Sequence, residues 1–224
     1  MSKTEKPAVS APGESEQRRY HHGDLKNALI QEGRAALVEL PAHELTLRLV
    51  ARRAGVSPAA PARHFNGLSD LLASIALEGF YDLVSQRRRV AESDESLRRK
   101  MTLMMRCYIE LARANRGMFA LMVGHRVVNQ VDHRDLHRVR RESFDLFAQA
   151  VCEYARSHGW PESAMSLLVH AAWSTEHGAA VLINAERVPA FDYEVELDQM
   201  VDFSLALLQS GIERGPGGLP PPKG

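Results

Sequence analysis

From Leu25 to Leu208 the apolar residues of this chain return at intervals of three and four or their sums, and no stretch of useful length alternates apolar with polar. Leu25, Leu29 and Ala36 mark one helical face, and Leu71, Ile75 and Leu83 another. The same spacing recurs in Leu103, Cys107 and Leu111, in Phe144, Phe147 and Val151, in Leu168, Ala172 and Ala179, and in Val201, Leu205 and Leu208. The expected fold is therefore all-α, and 224 residues are enough to bury a core. The ends break the pattern. Residues 1–17 mix charge with Pro, Ser and Gly, and residues 213–224 read ERGPGGLPPPKG, so both are expected to be disordered tails.

A polar break, AESDES at 91–96, closes a long helix expected from about Ser69 to Val90. An N-terminal three-helix bundle is expected over 18–68, and a larger helical bundle over 69–212. The chain carries 28 basic and 28 acidic residues, so any affinity for nucleic acid must come from local charge. Over 18–65, eight basic side chains (Arg18, Arg19, Lys26, Arg34, Arg48, Arg52, Arg53, Arg63) face four acidic ones. The N-terminal part is the basic one. Cys107 and Cys152 sit in apolar periodic segments without metal-ligand spacing, which suits buried thiols in a reducing compartment with no disulfide. The first residues lack the apolar core of a secretory signal, and no apolar run is long enough to cross a bilayer. The protein is expected in the cytoplasm, with no membrane partner.

The densest local signal is LTLRLVARRAGVSPAAPARHF, residues 45–65. Thr46 can cap a helix from Leu47 to Ala54, because its hydroxyl can accept from an orphan backbone N–H. Gly55 suits the left-handed residue that ends a helix, with Val56 as its apolar seal. Ser57 and Pro58 suit the cap and first position of the next helix. Two short helices across a three-residue turn form a helix-turn-helix. Ala59, Ala60 and Ala62 keep the second helix slim enough for a major groove, while Phe65 turns inward.

The segments YHHGDLKNALIQEGRAALVEL, LTLRLVARRAGVSPAAPARHF and LSDLLASIALEGFYDL resemble the DNA-binding domain of tetracycline-repressor-like (TetR family) transcriptional regulators, over roughly 18–85. AAWSTEHGAAVLINAERV, 171–188, is similar to the Trp-x-x-x-His-Gly segment of the WHG class of ligand-binding domains in that family. The resemblance implies a homodimeric repressor of double-stranded operator DNA. By position it places Thr46, Arg48 and His64 at phosphates, and Ser57, Pro58, Ala60 and Arg63 toward the groove. Arg18 and Arg19 form an arm that can reach the backbone or minor groove. Two positions depart from the pattern. Many members carry a tyrosine where this chain has Ala62, and a lysine where it has Leu68 at the start of the fourth helix; each change removes a phosphate contact.

Such a regulator needs a sensor and a second copy of itself. Met104, Met105, Tyr108, Phe119 and Met122 cluster in sequence, and adaptable methionines suit a cavity that opens and refills. His170, Trp173 and His177 share one helical face, with His177 open to an effector or to an internal hydrogen bond. The expected effector is small and apolar or aromatic. For dimerisation, Ala171, Gly178 and Ala179 permit close helix approach, and Val201, Leu205, Leu208 and Ile212 form a stripe for a two-fold interface. His133 and His137 have the spacing of metal ligands, yet Arg134 and Arg138 interleave them and no cysteine or further ligand cluster lies near, so no metal is expected. No cofactor is expected. No nucleophile elbow or phosphate loop appears, so the chain is not expected to be an enzyme. Two alternatives stand beside this reading: an all-α enzyme using His170, His177 and Glu176, and a dimeric sensor that no longer grips DNA.

Overall fold

The computed structural model describes residues 22–124, 133–185 and 195–218. Arg18 and Arg19 lie outside the described residues. Among the described residues eight α-helices follow one another: α1 (His22–Glu39), α2 (Leu47–Arg53), α3 (Leu68–Glu92), α4 (Leu97–Ala114), α5 (Arg116–Val123), α6 (Arg134–Ser157), α7 (Glu162–Ala185) and α8 (Leu197–Glu213). Short 3-10 turns cover Ala42–Glu44, Ala60–Arg63 and Pro216–Gly218, and no strand occurs among the described residues.

Polar caps set several helix starts. Thr46 accepts from the Leu49 backbone N–H at 3.1 Å and opens α2. Ser96 accepts from Arg99 at 3.3 Å and opens α4. Asn115 both ends α4 and opens α5, accepting from Met118 at 2.8 Å. Each satisfies a donor that the first helical turn leaves without a partner.

The end of α2 follows its local chemistry closely. Gly55 adopts φ +69°, and the Val56 N–H donates to the Ala51 carbonyl at 3.0 Å while Gly55 N–H donates to Arg52 at 3.2 Å. This pair of bonds is the Schellman ending. The segment that follows does not become the α-helix expected from Ser57. It forms a turn and then the 3-10 turn Ala60–Arg63, and Ser57 makes no side-chain cap. Pro61 is the reason. It has no N–H to return to the Ser57 carbonyl, and its ring would clash with that carbonyl in an α-helix. The Ser57 carbonyl instead accepts from Ala60 N–H at 3.0 Å, the tighter 3-10 pattern.

One continuous core runs through both halves, from Leu29, Val50 and Phe65 at one end to Leu168, Val201 and Ile212 at the other. The helix α3, 25 residues and so about 37 Å long, spans it. Leu71 and Ile75 near its start pack with the α1–α2 region, while Leu83 and Arg87 lie within the larger bundle, where α3 packs most extensively against α6. The polar break at 91–96 is thus a corner within one core. Residues 213–218, expected to lie in a disordered tail, are instead ordered and packed on the bundle. The Trp160 indole N–H donates to the Ile212 carbonyl at 2.7 Å, the Tyr154 hydroxyl donates to Glu213, and Pro216–Gly218 forms a turn. Cys107 and Cys152 are free, half-buried thiols.

Candidate functional site

Two sites emerge, a basic tip on the first part of the chain and a cavity in the bundle. At the tip, Thr46, Arg48, Ser57, Pro58, Ala59, Ala62 and Arg63 are exposed, while Pro61 and Phe65 are buried and anchor the turn. Ala60, His64 and Leu68 are half-buried. The local charge excess is not all available. Arg53 is held by both oxygens of Glu39 at 2.8 Å and lies 3.5 Å from Glu32, and Arg34 pairs with Glu78 and Asp82 on α3. Lys26 sits 5.7 Å from the centre of the Phe65 ring. Arg48, Arg52 and Arg63 remain exposed, with no carboxylate partner among the described residues. These three guanidiniums and the slim alanine face are what the tip presents to an anionic partner.

The cavity has a volume of about 910 Å³. Its apolar wall comes from Phe80 and Leu83 on α3, Met122 and Val123 on α5 and Phe144 on α6. Tyr108, His170, Trp173 and His177 line it too, as the sequence suggested. The His177 Nδ1 and the Tyr108 hydroxyl lie 2.9 Å apart, so His177 has a side-chain partner from α4. Trp173 stacks on His177 with centroids 5.3 Å apart and stays 39% exposed at the rim. Burial pulls the His177 imidazole below its usual range, and burial together with the nearby Glu176 raises the Tyr108 hydroxyl above its own.

Three expected lining residues stand elsewhere. Met104 and Met105 are fully buried in the core, because the inner face of α4 is enclosed by α3, α6 and α7. Phe119 is buried behind Tyr108, edge-on with centroids 5.3 Å apart, and supports the wall without forming it. His170 is exposed, its Nδ1 2.7 Å from the Ser166 carbonyl oxygen. His133 is drawn to Asp70 at 2.8 Å, near the start of α3, instead of toward His137.

Sequence reasoning missed the cavity's most constrained feature. Arg87 is buried, and all its nitrogens are engaged: Nε donates to the Met104 carbonyl at 3.4 Å, one terminal nitrogen to the Ser143 carbonyl at 2.8 Å and hydroxyl at 3.1 Å, and the other to both Glu176 oxygens at 3.1 Å. Its guanidinium also lies 5.2 Å from the Phe147 ring centre. Burial pushes the Glu176 carboxyl above the usual carboxylate range while Arg87 pulls it back. Glu176 therefore braces α7 against α3 and is not paired with a histidine. A signal existed. Arg87 lies four after Leu83 and three before Val90, and Glu176 four after Ala172, so each charge falls on an apolar helical face.

The expected dimer stripe also needs correction. Val201, Leu205 and Ile212 are buried against the chain's own bundle, as is Ala179, and Leu208 is half-buried. The outward faces of α7 and α8 carry Leu167, Ala171, Gly178 and Val181, with Phe203 66% and Leu207 59% exposed. The period is as expected but the phase is opposite, because α8 turns its more regular apolar stripe inward.

No helix among the described residues is long and apolar enough to cross a membrane. Residues 101–208 match the family model of the tetracyclin repressor-like C-terminal domain. Among solved structures, the chain is similar to a protein of unknown function from Rhodococcus sp. RHA1, with 27% identity, a TM-score of 0.72, and coverage of 87% of this chain and 98% of that one. It shares its fold with the regulator FadR from Bacillus subtilis in complex with stearoyl-CoA, at 16% identity and a TM-score of 0.62, covering 83% of this chain and 98% of that one. It shares it also with a TetR/AcrR family transcriptional regulator from Thermobifida fusca YX-ER1, at 16% identity and a TM-score of 0.61, covering 84% and 98%. No curated protein sequence matches.

Proposed function

By its C-terminal domain this chain belongs to the tetracycline-repressor-like family of transcriptional regulators, and on that premise we propose that it is a cytoplasmic, homodimeric repressor, released from operator DNA by a small molecule held in the Trp173–His177 cavity. The observation that carries the reading is the exposed tip: a slim turn with Arg48, Arg52 and Arg63 free of carboxylates among the described residues, set on a buried Pro61 and Phe65. Thr46, Arg48 and His64 serve phosphates, while Ser57, Pro58, Ala60 and Arg63 face the groove, with Arg18 and Arg19 as an accessory arm. No catalytic step, metal or cofactor is assigned.

Dimerisation uses the outward faces of α7 and α8, with Leu167, Ala171, Gly178, Val181, Phe203 and Leu207. The effector works through helices that join the cavity to the tip. The cavity touches α3 at Phe80 and Leu83 and α5 at Met122 and Val123. The first turn of α5 abuts α1 so tightly that a Cβ on Gly117 would meet the Leu37 carbonyl oxygen at 2.3 Å. A ligand that fits only one arrangement of α3 and α5 shifts the tips out of register by its difference in affinity for the two states.

Nuclease footprinting on the DNA flanking the chain's own gene tests this. Two protected half-sites, their centres about 34 Å apart or a multiple of it, are expected. A second reading, a dimeric sensor without DNA affinity, draws on the four-residue 3-10 turn and on Ala62 and Leu68. It predicts no protection at any protein concentration.

A further inference from the structure

We propose that the effector is an amphiphilic anion: an apolar or aromatic body inside the cavity, and a carboxylate or similar group held at its rim by Arg140. The inference rests on the cavity being the effector site. It comes from the charges that line it. Five lining residues carry formal charge: Arg87, Arg140, Arg141, Asp145 and Glu176. Arg87 and Glu176 neutralise each other at 3.1 Å, and Arg141 lies 3.7 Å from Asp145. Arg140 remains.

On the same helix, Arg138 has Asp135 and Glu142 within 4 Å, and Arg156 has Glu162. Arg140, exposed on α6, has no carboxylate partner among the described residues. Burial and Glu176 raise the Tyr108 hydroxyl above its usual range, and Arg87 and then Arg140 offset part of that rise. His137 and His170, both exposed, add further polar atoms to the lining. Phe80, Leu83, Met122, Val123 and Phe144 supply an apolar wall, and the Trp173–His177 stack supplies an aromatic one. An apolar interior whose rim carries one cation without a carboxylate among the described residues selects a molecule of matching polarity, because a guanidinium binds a carboxylate through charge-assisted hydrogen bonds. A cationic amphiphile of the same body meets Arg140 as a like charge.

Calorimetric titration of the full chain with three probes of one shape tests the assignment: 1-naphthylacetate, 2-(1-naphthyl)ethanol and 2-(1-naphthyl)ethylamine. The expected order is carboxylate, alcohol, amine, with the carboxylate roughly tenfold tighter than the alcohol. In Arg140→Gln the carboxylate and alcohol should bind within about twofold of each other, with the alcohol unchanged, and Arg140→Lys should restore part of the gap. Equal binding of carboxylate and alcohol to the wild type, or a carboxylate preference that survives Arg140→Gln, overturns the anionic assignment and leaves the cavity as effector site. An amine that binds tightest overturns it too. If none of the three binds at millimolar concentration, the cavity reading fails and this inference falls with it.

Discussion

The tip and the bundle use arginine in opposite ways. Arg48, Arg52 and Arg63 stand in solvent with no carboxylate partner among the described residues, whereas Arg87 is buried with every nitrogen engaged by α4, α6 and α7. An exposed, unpaired guanidinium contributes little to folding and stays available to a partner. A buried, fully bonded one is committed to the fold, and it makes neighbouring helices move together. The contrast separates the surface proposed to meet DNA from the brace that would report on an occupied cavity.

The largest effect should come from breaking the brace. Glu176→Ala strands the Arg87 charge inside the bundle and should cost about 3–5 kcal/mol of stability, read by denaturant unfolding. The double change Arg87→Met with Glu176→Leu should recover most of that loss, since matched apolar groups replace a buried pair well. A double variant as unstable as Glu176→Ala would show that the pair itself is not the brace. Next comes the contact between halves. Gly117→Ala presses a methyl on the Leu37 carbonyl and should cost about 1–3 kcal/mol.

The tip should respond in the other quantity. Arg63→Ala should weaken operator binding by about 1–3 kcal/mol if it reads a base edge, with the melting temperature unmoved. Arg48→Ala should lower the salt slope of binding by about one and weaken all sequences alike. The smallest effect is a pH dependence. Burial holds the folded His177 imidazole below its unfolded value, so the stability linked to it is present above about pH 6.5 and is lost as pH falls through the folded value. His177→Gln should flatten that part of the stability profile.

The two regions also differed in how much their sequence disclosed. Thr46, Gly55 and Val56 act on atoms within five residues of themselves, so the end of α2 could be read from residue types alone. The same local chemistry held the signal for the 3-10 turn, in Pro61 rather than in Pro58. In the bundle the decisive contacts join positions far apart, Arg87 to Glu176 and Tyr108 to His177, and periodicity supplies a face without a partner for it. That is why Tyr108, Trp173 and His177 were found at the cavity while Met104 and Met105, one helical face too far inward, were not. The stripe Val201, Leu205 and Ile212 shows the same limit, because two helical faces can both be apolar and only packing decides which is covered.

Whether the exposed basic tip grips duplex DNA can be read from a gel shift of the full chain on the DNA flanking its own gene, titrated at 50 mM and 200 mM salt. A tip that grips phosphates gives a retarded band at low salt whose affinity falls steeply at the higher concentration, as release of counterions requires. A folded dimer that gives no retarded band at 50 mM salt would contradict it.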